Sequence, residues 1–203
     1  MNESNTVRSE EAVPYETGPG AARPANGASD GAEAAPRSYG GRLAFYHPTG
    51  SGTGSAIQIE LKLNRPGEDR YDCFFLEMAR QKTIRGQGGH PTATFDWAGK
   101  ITVKLDVTDI CEFLRVLEGK AEQAGGARGL YHEAGSASTL IGFRHSAEPP
   151  GYAVDLSRKE KGAETGSKAH ILLTEAEAIA LRCVFQSAIF YLVFHRNLEA
   201  LRV

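Results

Sequence analysis

The sequence has few cysteines and no long apolar run, and both absences narrow the class of protein. The three cysteines, Cys73, Cys111 and Cys183, lie far apart and form no C-x-x-C pair. This usage indicates a reducing compartment and argues against a disulfide scaffold or a zinc ribbon. We expect a cytoplasmic protein, associated with the nucleoid if it is bacterial. No stretch approaches 18 uncharged apolar residues, so we expect no membrane-spanning segment. The acid-rich N-terminal region resembles neither a signal peptide nor an Arg-rich transit sequence.

Motifs of the common enzyme and cofactor classes are lacking as well. There is no G-x-S-x-G nucleophile elbow, no acid pair that stands out, and no H-x-x-x-H among the six histidines. The glycine-rich residues 50–55 lack the lysine of a P-loop and precede a predicted strand instead of a helix. We interpret them as a flexible hairpin turn, with a mobile phosphate-contacting loop as the alternative. We therefore expect no enzymatic activity, no cofactor, no metal and no small-molecule substrate.

The charge is unevenly distributed along the chain. The net charge is −2, whereas nucleic-acid-binding proteins usually have a basic excess or a basic face. Residues 1–41 contain three arginines and six acids, a charge of −3, which leaves +1 for residues 42–203. The first 41 residues are also rich in Gly, Ala and Pro, so they cannot bury enough apolar surface to offset their ordering entropy. We predict a disordered acidic tail at 1–41, able to compete with nucleic acid or recruit a partner, and a folded domain at 42–203.

Hydrophobic periodicity in the folded domain predicts the same arrangement twice. Alternation with a period of two predicts strands, and apolar spacing of three to four predicts helices. A Thr-x-x-Glu capping box at 174–177 marks the start of the second helix. The predicted fold class is α+β, with two antiparallel four-stranded sheets, each followed by a helix. The predicted strands are 43–47, 57–63, 72–81, 92–105 with a bend at 98–100, then 129–133, 138–145, 151–158 and 168–173, and the helices are 106–118 and 174–196.

Cations and aromatic residues recur on the predicted strands. In single-strand binding, cations track the backbone while aromatic side chains stack with bases. The alternative is an ordinary solvent-exposed sheet face, with Phe75 and Trp97 in the core. The cations are Lys62, Arg80, Lys82, Lys100 and Lys104 in the first half, near Tyr46, Phe75 and Trp97, and Arg144, Arg158, Lys159, Lys161 and Lys168 in the second half.

Ordered blocks of residues 52–194 resemble the Whirly family of single-stranded-DNA-binding proteins and the related guide-RNA-binding mitochondrial proteins. The block 95–100, Phe-Asp-Trp-Ala-Gly-Lys, is similar to the family's Tyr-Asp-Trp-x-x-Lys strand, and residues 54–59 resemble the end of its K-G-K-A-A-L-S-V strand. The resemblance implies the fold described above. It also implies a homotetramer with the helices at its centre, which holds single strands between neighbouring protomers.

One departure from the family pattern concerns the predicted binding edge. Gly52 and Gly54 replace the two lysines of K-G-K, although Thr53, Ser55 and Gln58 remain as polar groups.

We predict a protein that binds single-stranded DNA or RNA with little dependence on sequence and acts in DNA maintenance or transcription regulation. The alternative is a structural or protein-interaction module of the same fold that has lost nucleic-acid binding. The predicted contact residues are Tyr46, Thr53, Ser55, Gln58, Lys62, Phe75, Arg80, Lys82, Trp97, Lys100, Lys104, Arg144 and Lys168.

Overall fold

The computed structural model describes residues 41–63, 72–84, 86, 88–89 and 92–200, with the backbone alone at 195–200. All of the predicted acidic tail except Gly41 lies outside these residues, so its disorder stays a prediction.

The first sheet contains five strand segments. They are β1 (Arg42–His47), β2 (Ser55–Lys62), β3 (Cys73–Thr83), β4 (Thr94–Phe95) and β5 (Ile101–Leu105). The antiparallel order is β1-β2-β3, and both β4 and β5 then pair with β3. A turn in which the Gly99 amide donates to Asp96 Oδ1 at 3.1 Å separates β4 from β5. The fourth predicted strand therefore exists in two pieces, and the bend predicted at 98–100 is confirmed.

A helix and a second sheet follow, and a longer helix comes last. The helix is α1 (Val107–Leu117), and a 3-10 turn (Gly126–Arg128) leads from it into the second sheet. That sheet is antiparallel in the order β6-β7-β8-β9, and α2 (Glu175–Ala200) comes after it. Two antiparallel sheets, each followed by a helix, confirm the predicted fold class. The strands of the second sheet are β6 (Leu130–Ala134), β7 (Ala137–Ala147), β8 (Pro150–Glu160) and β9 (Ser167–Leu173).

Both helices begin with reciprocal side-chain caps. Asp106 Oδ1 accepts hydrogen bonds from the amides of Thr108 and Asp109, while Asp109 Oδ2 accepts from the Asp106 amide at 2.9 Å. At α2, Thr174 Oγ1 accepts from the Glu177 amide, and Glu177 Oε2 accepts from the Thr174 amide at 2.8 Å. These contacts satisfy amides that have no partner within the helix. The capping box predicted at 174–177 is confirmed.

Four buried phenylalanines connect the two sheets and the two helices. Phe74 on β3 contacts Phe185 on α2, with ring centroids 5.3 Å apart. Phe185 in turn contacts Phe113 on α1, which stacks on Phe143 of β7 at 4.4 Å. Each ring is at most 1% exposed, and pairs of this geometry stabilise a core beyond the area they bury. One face of each sheet therefore packs into a shared core.

Helix α2 combines a buried side with an exposed apolar side. By length and composition alone, Glu175–Phe194 is long and apolar enough to cross a membrane, although the sequence contains no run of 18 uncharged apolar residues. Its side chains Ala178, Leu181, Phe185 and Ala188 are buried in the protein core. Toward the other side, large apolar side chains stay about half exposed, namely Ile179, Phe190, Tyr191, Val193 and Phe194.

Candidate nucleic-acid interface

The first sheet turns one face to the core and the other to solvent. We call the second the outer face of sheet 1. The strand register sets its residues in three rows that run across the strands. The rows are Tyr46, Ala56 and Ala79; then Gln58, Glu77 and Thr102; then Arg42, Glu60, Phe75 and Lys104.

At the first row, the Tyr46 ring contacts two further aromatic rings, from β4 and from the residues after it. The Tyr46 ring centroid lies 5.6 Å from that of Phe95 and 6.3 Å from that of Trp97. Because β2 and β3 separate β1 from β4, the rings meet above Ala56 and Ala79, whose side chains are small and fully covered. Tyr46 remains 53% exposed. We call these three residues the aromatic cluster, and its exposed ring surface suits stacking with an unpaired base.

The second row centres on the carboxylate of Glu77. Lys100 Nζ donates to it at 2.7 Å, Thr102 Oγ1 donates at 3.1 Å, and the Gln58 carboxamide donates as well. Burial by itself raises the pKa of Glu77, but these hydrogen bonds and the Lys100 charge outweigh burial and lower it. Glu77 is therefore ionised at neutral pH, and it compensates the charge of Lys100.

The third row carries cations at both ends. Arg42 Nε lies 2.8 Å from Glu60 Oε2, so this arginine is paired. Lys104 and Lys62 are exposed, and in the described part of the chain neither has a carboxylate within ion-pair distance. Phe75 lies beside Lys104 and is half-buried. Among the described residues, two lysines without a carboxylate partner thus lie near an aromatic side chain on this face.

The glycine-rich loop between β1 and β2 is held by one buried side chain. Gln81 Oε1 accepts hydrogen bonds from the amides of Thr49 at 2.8 Å and Gly54 at 3.0 Å. Gln81 Nε2 donates to the carbonyls of Thr49 and Thr83. A Cβ at Gly54 would lie 2.3 Å from Gln81 Oε1, so only glycine fits beside the carboxamide. The hairpin position predicted for this loop is confirmed, and Gln81 fastens it.

Most of the predicted contacts fall on one surface. The outer face of sheet 1 brings together Tyr46, Gln58, Lys62, Phe75, Trp97, Lys100 and Lys104.

Six predicted contacts lie elsewhere, and four of them belong to sheet 1 or its loops. Ser55 is buried on the opposite face, in register with Arg80. The Arg80 guanidinium donates from Nε to the carbonyl of Lys168 at 2.7 Å and so ties β3 to β9. Thr53 lies in the loop, with its hydroxyl 3.2 Å from that of Thr49, and Lys82 lies at the register irregularity near the end of β3.

Arg144 and Lys168 lie on the solvent-facing side of the second sheet, which we call the outer face of sheet 2. Arg144 donates to Asp155 Oδ2, and the His170 ring lies 2.7 Å from Asp155 Oδ1. Lys168 is exposed and, among the described residues, has no carboxylate partner. This face therefore offers one unpaired cation from the predicted set.

Three residues that shape the site were missing from the predicted contacts: Phe95, Glu77 and Gln81. Phe95 and Trp97 are two positions apart, a spacing that points both side chains to one side of an extended segment. Glu77 and Phe75 are also two positions apart, so their side chains share one face of β3. Gln81 gave no such signal, because its partners belong to a loop whose position depends on the register of β1 and β2. No group of three or more potential metal ligands occurs among the described residues.

Comparison with known proteins identifies the fold. The chain superposes on the plant transcriptional regulator PBF-2 with a TM-score of 0.59 and 18% identity, covering 79% of this chain and 86% of that one. For WHY3 from Arabidopsis thaliana the values are 0.59 and 19%, covering 83% and 99%. A guide-RNA-binding protein complex bound to a guide RNA gives 0.51 and 17%, covering 76% and 92%. No family model and no curated protein matches the sequence.

These likenesses extend over most of each chain, and they establish a Whirly-like α+β fold. The resemblance seen in the sequence blocks is thereby confirmed at the level of the fold.

Proposed function

We propose that this protein binds single-stranded nucleic acid with little dependence on sequence, through the outer face of sheet 1. The aromatic cluster of Tyr46, Phe95 and Trp97 is the observation that carries this proposal. Every base has a π-face, so stacking on such rings tolerates any sequence and contributes about 1–3 kcal/mol per base. Duplex DNA keeps its bases stacked on one another and offers no free ring to this cluster.

The charges on the same face favour weak electrostatic attraction. Within the described ranges, Lys104 and Lys62 have no carboxylate partner, whereas Lys100 and Arg42 are already bound to carboxylates. Each phosphate contacted on a single strand contributes about −0.7 to the slope of log affinity against log salt. Two available lysines thus correspond to a slope of about −1.4. We infer that stacking supplies more of the binding free energy than charge does.

Fluorescence anisotropy with a labelled single-stranded oligonucleotide tests the proposal. We expect saturable binding, a shallow dependence on salt, and much weaker binding of the matched duplex. Equal affinity for the duplex, or no binding at low salt, would overturn the proposal. A steep salt slope would instead move the site to a more basic surface.

The solved structures of the same fold support this assignment and suggest its context. One is described as a transcriptional regulator, and another was solved bound to a guide RNA. We propose a role in transcription regulation or DNA maintenance, with DNA or RNA as the ligand.

The exposed side of α2 supports self-association, and we propose a homotetramer. Phe190, Tyr191, Val193 and Phe194 are each about half exposed near the end of the helix. A contiguous apolar patch of this kind is typical of a protein interface. Burying it between protomers removes apolar surface from water, and light scattering on the purified protein measures the resulting mass.

A second candidate function is a protein-interaction module of the same fold. The pairing of Lys100, Arg42 and Arg144 with carboxylates favours it, because it leaves few cations for phosphates. The absorbance ratio at 260 over 280 nm after low-salt purification separates the two functions. An elevated ratio indicates co-purified nucleic acid, and an ordinary protein ratio favours the interaction module.

A further inference from the structure

The outer face of sheet 2 contains an open depression of about 460 Å³. Its floor lies at Gly142 on β7, which has no side chain at a position where its neighbours Leu140 and Arg144 do. The strand register sets Asp155 of β8 beside this glycine and His170 of β9 beside Asp155. The depression is thus a gap in the surface of a continuous sheet.

The carboxylate of Asp155 is held in a fixed orientation within this depression. Arg144 donates to Oδ2, and the ring N–H of His170 donates to Oδ1 at 2.7 Å. Each carboxylate oxygen has two lone-pair sites, so each can accept one further hydrogen bond. The side chain of Asp155 is 40% exposed, which leaves it accessible to a ligand.

Apolar and cationic groups flank this acceptor. Leu140 is 43% exposed, and the neighbouring Tyr131 is 64% exposed. Ser157 lies beside Leu140 in the same row across the strands, and Lys168 on β9 follows Ser157 at the far end of that row. A flat ligand can therefore contact Leu140 while Lys168 meets a negative charge beside it. This combination of apolar wall, oriented acceptor and cation suits a nucleotide.

We propose that this depression binds a nucleobase with an exocyclic amine, and that it favours cytosine over uracil. The inference rests on the proposed function. An ionised carboxylate only accepts hydrogen bonds, and it is the natural partner of the cytosine N4 amine. Uracil has a carbonyl oxygen at that position, which places two acceptors against each other, and its N3–H donor lies between two carbonyl oxygens that repel the carboxylate. The protein thus combines two sites: an aromatic cluster on sheet 1 that tolerates any sequence, and a base-selective site on sheet 2.

Two oligonucleotides whose bases differ only on the Watson–Crick edge test the proposal. Oligo(dC) and oligo(dU) of equal length carry the same charge, and their bases differ at position 4, amine against carbonyl, and in the proton on N3. We expect the full chain to bind oligo(dC) about fivefold more tightly, which corresponds to the lower end of the discrimination that a good base contact gives. The measurement is made above neutral pH, where cytosine is unprotonated.

Substitutions in the depression assign any preference to it. Asp155→Asn provides an amide that can also donate to the uracil carbonyl, so we expect the ratio of the two affinities to fall to about one. The loss of the negative charge raises the affinities for oligo(dC) and oligo(dU) by the same factor, so this effect cancels in their ratio. Glu164→Gln changes the same charge in the β8–β9 turn and should keep the ratio. Gly142→Ala partly fills the floor without a charge change, since its Cβ would lie 3.3 Å from Asp155 Cβ, and should also lower the ratio.

The possible results separate this proposal from the proposed function. Equal affinities of the native chain for the two oligonucleotides overturn the base-selective site and leave single-strand binding standing. A preference that Asp155→Asn and Gly142→Ala both retain places selectivity elsewhere and also overturns it. Binding of neither oligonucleotide overturns both proposals.

Discussion

The ammonium of Lys100 lies 2.7 Å from the carboxylate of Glu77 in the middle of the outer face of sheet 1. A phosphate that approaches Lys100 must compete with this carboxylate, which two further donors also hold. The pair therefore limits how strongly the face attracts a polyanion.

Replacing Glu77 by Gln should strengthen nucleic-acid binding at low salt. The substitution removes one negative charge and frees Lys100 for a phosphate. We expect the slope of log affinity against log salt to steepen by about 0.7, the contribution of one further contact on a single strand. Anisotropy titrations at several salt concentrations measure it, with Glu164→Gln as the charge-matched control. An unchanged slope would show that Lys100 does not meet phosphate.

The same carboxylate should make stability depend on pH in the acid range. The pKa of Glu77 is lowered in the folded protein, so its contribution is present above the unfolded value of about 4.3 and is lost as pH falls through the folded value. Urea unfolding of the native chain and of Glu77→Gln should therefore differ most near neutral pH and converge in acid. A difference that grows as pH falls would contradict this assignment.

Trp97 is the only tryptophan in the chain, so its fluorescence reports directly on the aromatic cluster. A base that stacks there should quench this emission during an oligonucleotide titration. Tyr46→Leu removes the exposed ring, and we expect affinity to fall by about tenfold, within the range measured for single stacked bases. The salt slope should stay the same, because no charge changes. Emission that is unaffected at saturation would place the bases elsewhere.

Gln81→Leu should destabilise the fold. Leucine cannot replace the four hydrogen bonds of the carboxamide, and the Gly54 amide is left buried without an acceptor. An unsatisfied buried polar group costs about 1–3 kcal/mol, so we expect the free energy of unfolding to fall by about 2 kcal/mol or more. Gln186→Leu is the matched control, since that carboxamide makes one exposed contact, with Glu118. Equal effects of the two substitutions would contradict a special role for Gln81.

The exposed apolar side of α2 should control the oligomeric state. Replacing both Phe190 and Phe194 by Ser removes two large rings from the patch, and we expect the mass measured by light scattering to drop toward that of a monomer. Leu140→Ser removes an exposed apolar side chain from the outer face of sheet 2 and should leave the mass unchanged. A tetramer that survives the double substitution would move the interface away from α2.

The fold was largely predictable because its signals are local. Alternation from Ile57 to Leu63 and the capping box at Thr174 depend only on neighbouring residues, and both predicted the correct elements. The order of strands and helices along the sequence then predicted the two-sheet arrangement. The starts of both helices followed from polar caps, which need no knowledge of tertiary structure, whereas α2 runs to Ala200 and not to the predicted 196.

The site was less predictable because register decides which side chains meet. Whether Arg80 faces solvent or the second sheet depends on how β3 pairs with its neighbours, and a shift of one residue reverses the face. The pairing of Lys100 with Glu77 likewise joins two strands that are distant in sequence. Counting cations therefore overstated the positive charge available on the outer face of sheet 1.

Gln81 Oε1 accepts two backbone hydrogen bonds, and this has a consequence for the hydrogen exchange of the loop. The amide hydrogens of Thr49 and Gly54 donate to the same oxygen, so neither can exchange with solvent until that oxygen moves away. Both amides should therefore report the same opening free energy, as members of one cooperative unit do. The Thr53 amide donates to an exposed hydroxyl of Thr49 instead and should exchange sooner. One side chain thus makes the two ends of the loop open as a single event.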